Sequence, residues 1–140
     1  MRLIIASVLF LLAVAAVSAA ETADYVVITH QENPVSTISA QDAKNVFLGK
    51  RTTWPDGQSI TVFVQEQTAA NESFTRGVVK KTPQQFFTYW RKALFSGTGT
   101  PPKSLPDDQT MKRFVASNPL AIGYILPESL DETVKSLEIR

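Results

Sequence analysis

The sequence predicts an α/β fold, a three-layer sandwich built around a mainly parallel sheet, and three observations predict it. Short β-branched runs recur at Tyr25 to Thr29, Ile60 to Val64 and Ala121 to Ile125. Such runs, apolar on both faces, suit strands covered by helices on both sides. Between them lie segments with apolar residues at helical spacing, several opened by Ser, Thr or Asp, the residues that cap helix starts. The order strand, helix, strand, helices, strand is then that of a sheet whose connections cross over through helices.

Ahead of the first strand the chain has a different character. Arg2 precedes an apolar run from Leu3 to Val17, closed by the small residues Ser18, Ala19 and Ala20, which is the layout of a secretory signal peptide. We therefore expect a leader over residues 1–20, cleavage after Ala19 or Ala20, and one domain over residues 21–140. The apolar run is short for a bilayer span and polar sequence follows at once, so no membrane insertion is expected after cleavage. No cysteine is present, which removes lipid attachment, disulfides, thiolate nucleophiles and cysteine metal sites.

The chain has 14 Lys and Arg against 13 Asp and Glu. One of the 14, Arg2, lies in the leader, so the mature domain is balanced. Without a basic patch or a run of like charge there is nothing to attract nucleic acid or an anionic membrane.

The elements follow in order. Tyr25 to Thr29 reads as a doubly covered strand, and His30 to Thr37 as a loop with Asn33-Pro34 turn chemistry. Ser39 caps a helix, with Asp42 three residues on as a variant capping box. Ala43, Val46 and Phe47 line one face of that helix, and Gly49 stops it. Trp54-Pro55-Asp56-Gly57 is a turn that feeds a strand at Ile60 to Val64. Thr68 caps a helix carrying Ala70, Phe74 and Val78. Thr82, Pro83 and Gln85 open another, whose Phe86, Phe87, Trp90 and Leu94 read as core. Ser96 to Pro106 holds two Gly and three Pro and reads as a loop. Asp107 or Asp108 then caps a helix with Met111, Phe114 and Val115 inward, ended by Asn118-Pro119. Ala121 to Ile125 is the third strand, and Val134 to Ile139 reads as a fourth after a helical turn at Ser129 to Glu132.

The succession DAKNVFLGKRTTWPDGQSITVFVQ, FTYWRKALFSGTGTPPK and MKRFVASNPLAIGYI resembles the substrate-binding proteins of phosphate ABC transporters. The resemblance rests on Phe47 to Gly49, on the Trp54 to Gly57 turn and on Ala121 to Tyr124, and it covers nearly the whole mature chain. It implies one lobe of a type 2 periplasmic-binding fold, a periplasmic location, a small oxyanion such as phosphate as ligand, a transporter or other envelope protein as partner, and no enzymatic activity. Members have two lobes and are about twice as long. Phosphate-binding members follow this strand with Arg-x-Asp-Ser-Gly-Thr, and here the matching positions hold Gln65, Gln67, Thr68, Ala69 and Ala70. One hydroxyl survives. Each charge-assisted hydrogen bond lost in this way is worth about 1.5–3 kcal/mol.

The candidate ligand residues are therefore Gln65, Thr68, Ala69, Ala70 and Asn71 around a helix start, where N–H groups favour an anion. Thr29 and His30 join them from the carboxyl end of the first strand, the edge at which open α/β sheets bind ligands. The plainer alternatives are an ordinary N-cap for Thr68 and a polar loop residue for His30. Ser96-Gly97-Thr98 follows a helix instead of joining a strand to one, and it reads as a connection. No catalytic constellation, metal set or cofactor motif is present in the sequence: His30 is the one histidine and no Gly-x-Ser-x-Gly elbow occurs. Two functions stay open, weak oxyanion binding and a ligand-free interaction or sensory module.

Overall fold

The computed structural model of the chain describes residues 24–140, and the expected leader and its cleavage site lie outside the described residues. In chain order the elements are β1 (Val26–Thr29), β2 (Thr37–Ile38), α1 (Ala40–Phe47), β3 (Thr61–Gln65), α2 (Ala69–Phe74) with a π-helical turn after it (Thr75–Val79), α3 (Pro83–Ser96), β4 (Lys103–Leu105), α4 (Asp108–Ala116), β5 (Ala121–Ile125), a 3-10 turn (Pro127–Ser129), β6 (Lys135–Ser136) and β7 (Glu138–Ile139). Among them no helix is long and apolar enough to cross a membrane.

The main sheet runs β4-β3-β5-β1-β6. β3 pairs in parallel with β4 and with β5, whereas β1 lies antiparallel to both β5 and β6. Four strands thus share one direction and β1 alone is reversed, so the sheet is mainly parallel. β5 shows how it is covered. Ile122 and Tyr124 pack in one cluster with Phe47, Phe74, Val78 and Phe86, and Ala121 and Ile125 in another with Met111 and Val115. With a side-chain period of two, alternate residues face opposite layers. α1, α2, the π turn and the first turn of α3 form one layer, and α4 forms the other.

Local chemistry sets the element ends. The hydroxyls of Ser39, Thr68 and Thr82 and the carboxylate of Asp107 each accept the backbone N–H three residues on, at Asp42, Asn71, Gln85 and Thr110. Each such cap supplies an acceptor for an N–H that the helix leaves unpaired. At Thr82 the capping box is complete, because the Gln85 side chain accepts the Thr82 N–H at 2.9 Å. At Ser39 it is not: Asp42 turns outward to an ion pair with Arg51 at 2.6 Å. The Trp54 turn is closed by the Gly57 N–H on the Trp54 carbonyl, and the Trp54 indole donates to Leu120 at 3.1 Å. That side chain is buried in the core cluster with Phe47 and Val46.

Several expectations are corrected. Burial on both faces suggests that β1 belongs to the parallel set, but burial requires only that helices cover the sheet and does not fix strand direction. The Ser96 to Pro106 loop contains β4, an edge strand in which Leu105 alone is buried. The expected fourth strand is two short ones: Leu137 breaks the run by turning into the core and donating to Val27, and β7 leaves the sheet to pair with β2. The helical turn falls at Pro127–Ser129 instead of Ser129 to Glu132. The largest correction is α3, of which Phe86 is the one buried residue. Phe87, Leu94 and Phe95 are 61%, 56% and 83% exposed.

Gly49 shows why α1 must stop where it does. Its φ is 71°, and a Cβ placed there would stand 2.7 Å from the Trp90 ring. An L side chain is thus strained in two ways, and Gly49→Ala is expected to cost about 1–3 kcal/mol. Urea unfolding checks this, and an unchanged midpoint would contradict it.

Candidate functional site

β3 ends in Gln65, whose side chain is 4% exposed in spite of its amide. Such a group is costly to bury unless its hydrogen bonds are made. They are made here, since Nε2 donates to Asp108 Oδ1 at 2.7 Å and to the Tyr124 carbonyl at 2.9 Å. Oε1 accepts the Thr68 hydroxyl at 2.7 Å. The one proton of the Thr68 hydroxyl is thereby used, and the same oxygen accepts the Asn71 N–H that caps α2.

The Gln65 backbone N–H goes to the Tyr124 hydroxyl at 2.8 Å, and that hydroxyl donates to Asn71 Oδ1 at 2.8 Å. Burial pushes the Tyr124 hydroxyl well above the usual tyrosine pKa, against a smaller opposing effect of the Gln65 N–H, so it stays protonated and able to donate. Its ring is stacked on Phe74 with centroids 3.8 Å apart. Asn71 Oδ1 also accepts the Thr75 hydroxyl. On the α4 side, Asp108 Oδ2 accepts the Leu126 N–H at 3.0 Å and the Ser129 hydroxyl at 2.6 Å. The network wraps around the carboxyl end of β3 and ties both helical layers to the sheet.

Above this network lies a groove of about 920 Å³. Gln65, Thr68 and Asn71 form its polar floor, and Phe87, Trp90 and Leu94 of α3 form its apolar wall. Of the charges on its lining, Arg76 is paired with Glu72 at 2.6 Å. Arg91 lies over the Phe87 ring at 5.7 Å, and it and Glu66 are in no ion pair among the described residues.

The sequence candidates divide into two groups. Gln65, Thr68, Ala69, Ala70 and Asn71 come together at the carboxyl end of β3, with Ala69 exposed and Ala70 buried. Thr29 and His30 do not join them. β1 is reversed, with Thr29 opposite Ile122 and Val26 opposite Ile125, so its carboxyl end lies at the other edge of the sheet. Thr29 is fully buried, its hydroxyl without a partner among the described residues, and His30 Nδ1 accepts the Glu32 N–H in a local turn. Ser96-Gly97-Thr98 closes α3, with Gly97 in the left-handed region.

Sequence reasoning missed Asp108 and Ser129 as members of the site. The Asp107-Asp108 pair held the one available signal, because a helix start needs a single capping side chain and the second carboxylate is free for other bonds.

No protein-family model matches the sequence, and the comparison with curated proteins gives no match. Solved structures do match. An ABC-type phosphate transport receptor from Vibrio cholerae is 20% identical with a TM-score of 0.58, over 83% of this chain and 46% of that one. A substrate-binding protein with bound phosphate from Clostridium perfringens is 21% identical with a TM-score of 0.64, over 83% and 44%. PstS from Borrelia burgdorferi is 13% identical with a TM-score of 0.63, over 84% and 47%. The chain therefore has the fold of phosphate ABC transporter substrate-binding proteins, and it spans less than half the length of each of these structures.

Tyr124→Phe keeps the ring stack and removes the hydroxyl, which leaves the Gln65 N–H unmet and Asn71 Oδ1 with the Thr75 hydroxyl alone. A loss of about 1–3 kcal/mol is expected in chemical denaturation. A variant as stable as the parent would mean that the hydroxyl is not part of the structure's support.

Proposed function

We propose that this chain is an exported, non-catalytic binding module on the phosphate-receptor fold, and that it works by docking its α3 face on another protein of the envelope. One observation carries this reading: Phe87, Leu94 and Phe95 stand exposed on one helix, and Phe87 and Leu94 line the groove with Trp90. Burying each such side chain contributes roughly 1.5–3 kcal/mol, and contiguous apolar surface of this kind marks interaction sites.

The polar floor supports the same reading. A small anion at Thr68 would meet a hydroxyl already bonded twice, with the Asp108 carboxylate held by the same glutamine, and of the two arginines on the groove wall Arg76 is already paired with Glu72. A second function, weak binding of a phosphate-like oxyanion at Thr68 to Asn71, is favoured by the likeness to phosphate receptors. The N–H groups of Ala69 and Ala70, which the Thr68 cap leaves unserved, also favour it.

Two measurements separate these functions. Titration calorimetry of the mature protein with phosphate, sulfate and molybdate is expected to give no binding tighter than about 1 mM. Chemical crosslinking in envelope extract is expected to trap a partner with the parent chain and not with Phe87→Glu/Phe95→Glu. Micromolar phosphate binding, or crosslinks unaffected by the two substitutions, would overturn the docking function.

A further inference from the structure

We infer that the chain contains a latent binding seat for a small carboxylate, and that its own Asp108 fills it. The inference is independent of what docks on α3. Three donors converge on the Asp108 carboxylate: Gln65 Nε2 at 2.7 Å on Oδ1, with the Leu126 N–H at 3.0 Å and the Ser129 hydroxyl at 2.6 Å on Oδ2. They come from the end of β3, from the residue after β5 and from the 3-10 turn. None belongs to α4, the helix that carries Asp108. Capping of α4 falls to Asp107, which accepts the Thr110 N–H at 2.7 Å, so Asp108 is not needed for that duty.

The seat is built in advance of its occupant. Gln65 is nearly fully buried, and its amide is fixed independently by the Tyr124 carbonyl and the Thr68 hydroxyl. The Leu126 N–H is backbone at the end of the central strand. Directed donors that need not reorganise are what makes an oxyanion site effective. All three are neutral, so the donor set suits one planar monoanion with two oxygens, such as formate or acetate. A dianionic phosphate has more oxygens and more charge than these donors serve. Asp108 itself is only partly buried, so its seat lies near the surface, within reach of a small ion once the side chain is removed.

The test is thermal unfolding of Asp108→Ala in formate, acetate, phosphate and chloride at matched ionic strength. The variant is expected to melt below the parent chain and to regain several degrees, saturably, in formate or acetate but not in chloride. The parent chain should show no such gain, because its seat is filled. Asp108→Asn, which fills the same space without charge, should show none either. In Asp108→Ala the Leu126 amide resonance should move with added formate, and Ser129→Ala in that background should weaken the recovery. Should Asp108→Ala fail to fold in plain buffer, Asp108→Ser is assayed by the same criteria. A folded alanine or serine variant that responds to formate no more than to chloride would overturn the inference. So would an equal response in the parent chain or in Asp108→Asn, which would place the anion elsewhere.

Discussion

The Tyr124 hydroxyl is bonded on both sides, to the Gln65 N–H from β3 and to Asn71 Oδ1 from α2, and the carboxyl edge of the sheet is organised around that pair of bonds. The ring beneath it stacks on Phe74 and meets Phe47 edge-on at 6.0 Å, which joins α1 and α2 to β5. Gln65, positioned by the same hydroxyl, carries the connection to α4 through Asp108. One buried phenol thus sets the spacing of two strands and one helical layer, and the amide beside it reaches the other layer. Buried networks of this kind rigidify a fold when every member is satisfied. In this one the Tyr124 hydroxyl and the Gln65 amide have their partners within it.

That satisfaction bears directly on function. In the fold shared with the phosphate receptors, a site needs donors that are unoccupied until the ligand arrives. Here the Gln65 amide, the Thr68 hydroxyl and the Ser129 hydroxyl are bonded within the chain. The apolar wall of α3 lies along the same groove, with Phe87 and Leu94 exposed on it. Binding by this surface would draw on area and shape instead of charge, which is the physics of contact between proteins.

Much of the fold is legible in the sequence, because local chemistry dictates it. The caps at Ser39, Thr68 and Thr82, the Gly49 stop and the Trp54 turn depend on residues within a few positions of one another, and all are present. What depends on distant partners is less readable. The direction of β1 is set by β5 and β6 across the chain, and its reversal separates Thr29 and His30 from Gln65. The periodicity of α3 marks an apolar face correctly, but periodicity does not say what lies opposite. Phe86 meets the core, and Phe87, Leu94 and Phe95 meet solvent. Asp108 escaped notice because its bonds reach Gln65, 43 residues back, and Ser129, 21 residues on. A helix start explains an acidic residue without them.

Amide hydrogen exchange at Gln65 tests the central claim most directly. Its N–H is bonded to the Tyr124 hydroxyl at the end of a strand, where amides ordinarily fray. If the phenol is the tie that holds this edge, Gln65 should exchange only through global unfolding, as slowly as the amides of β5. Exchange at the rate of the exposed loop amides that follow it would show that the bond opens freely, and would contradict the account.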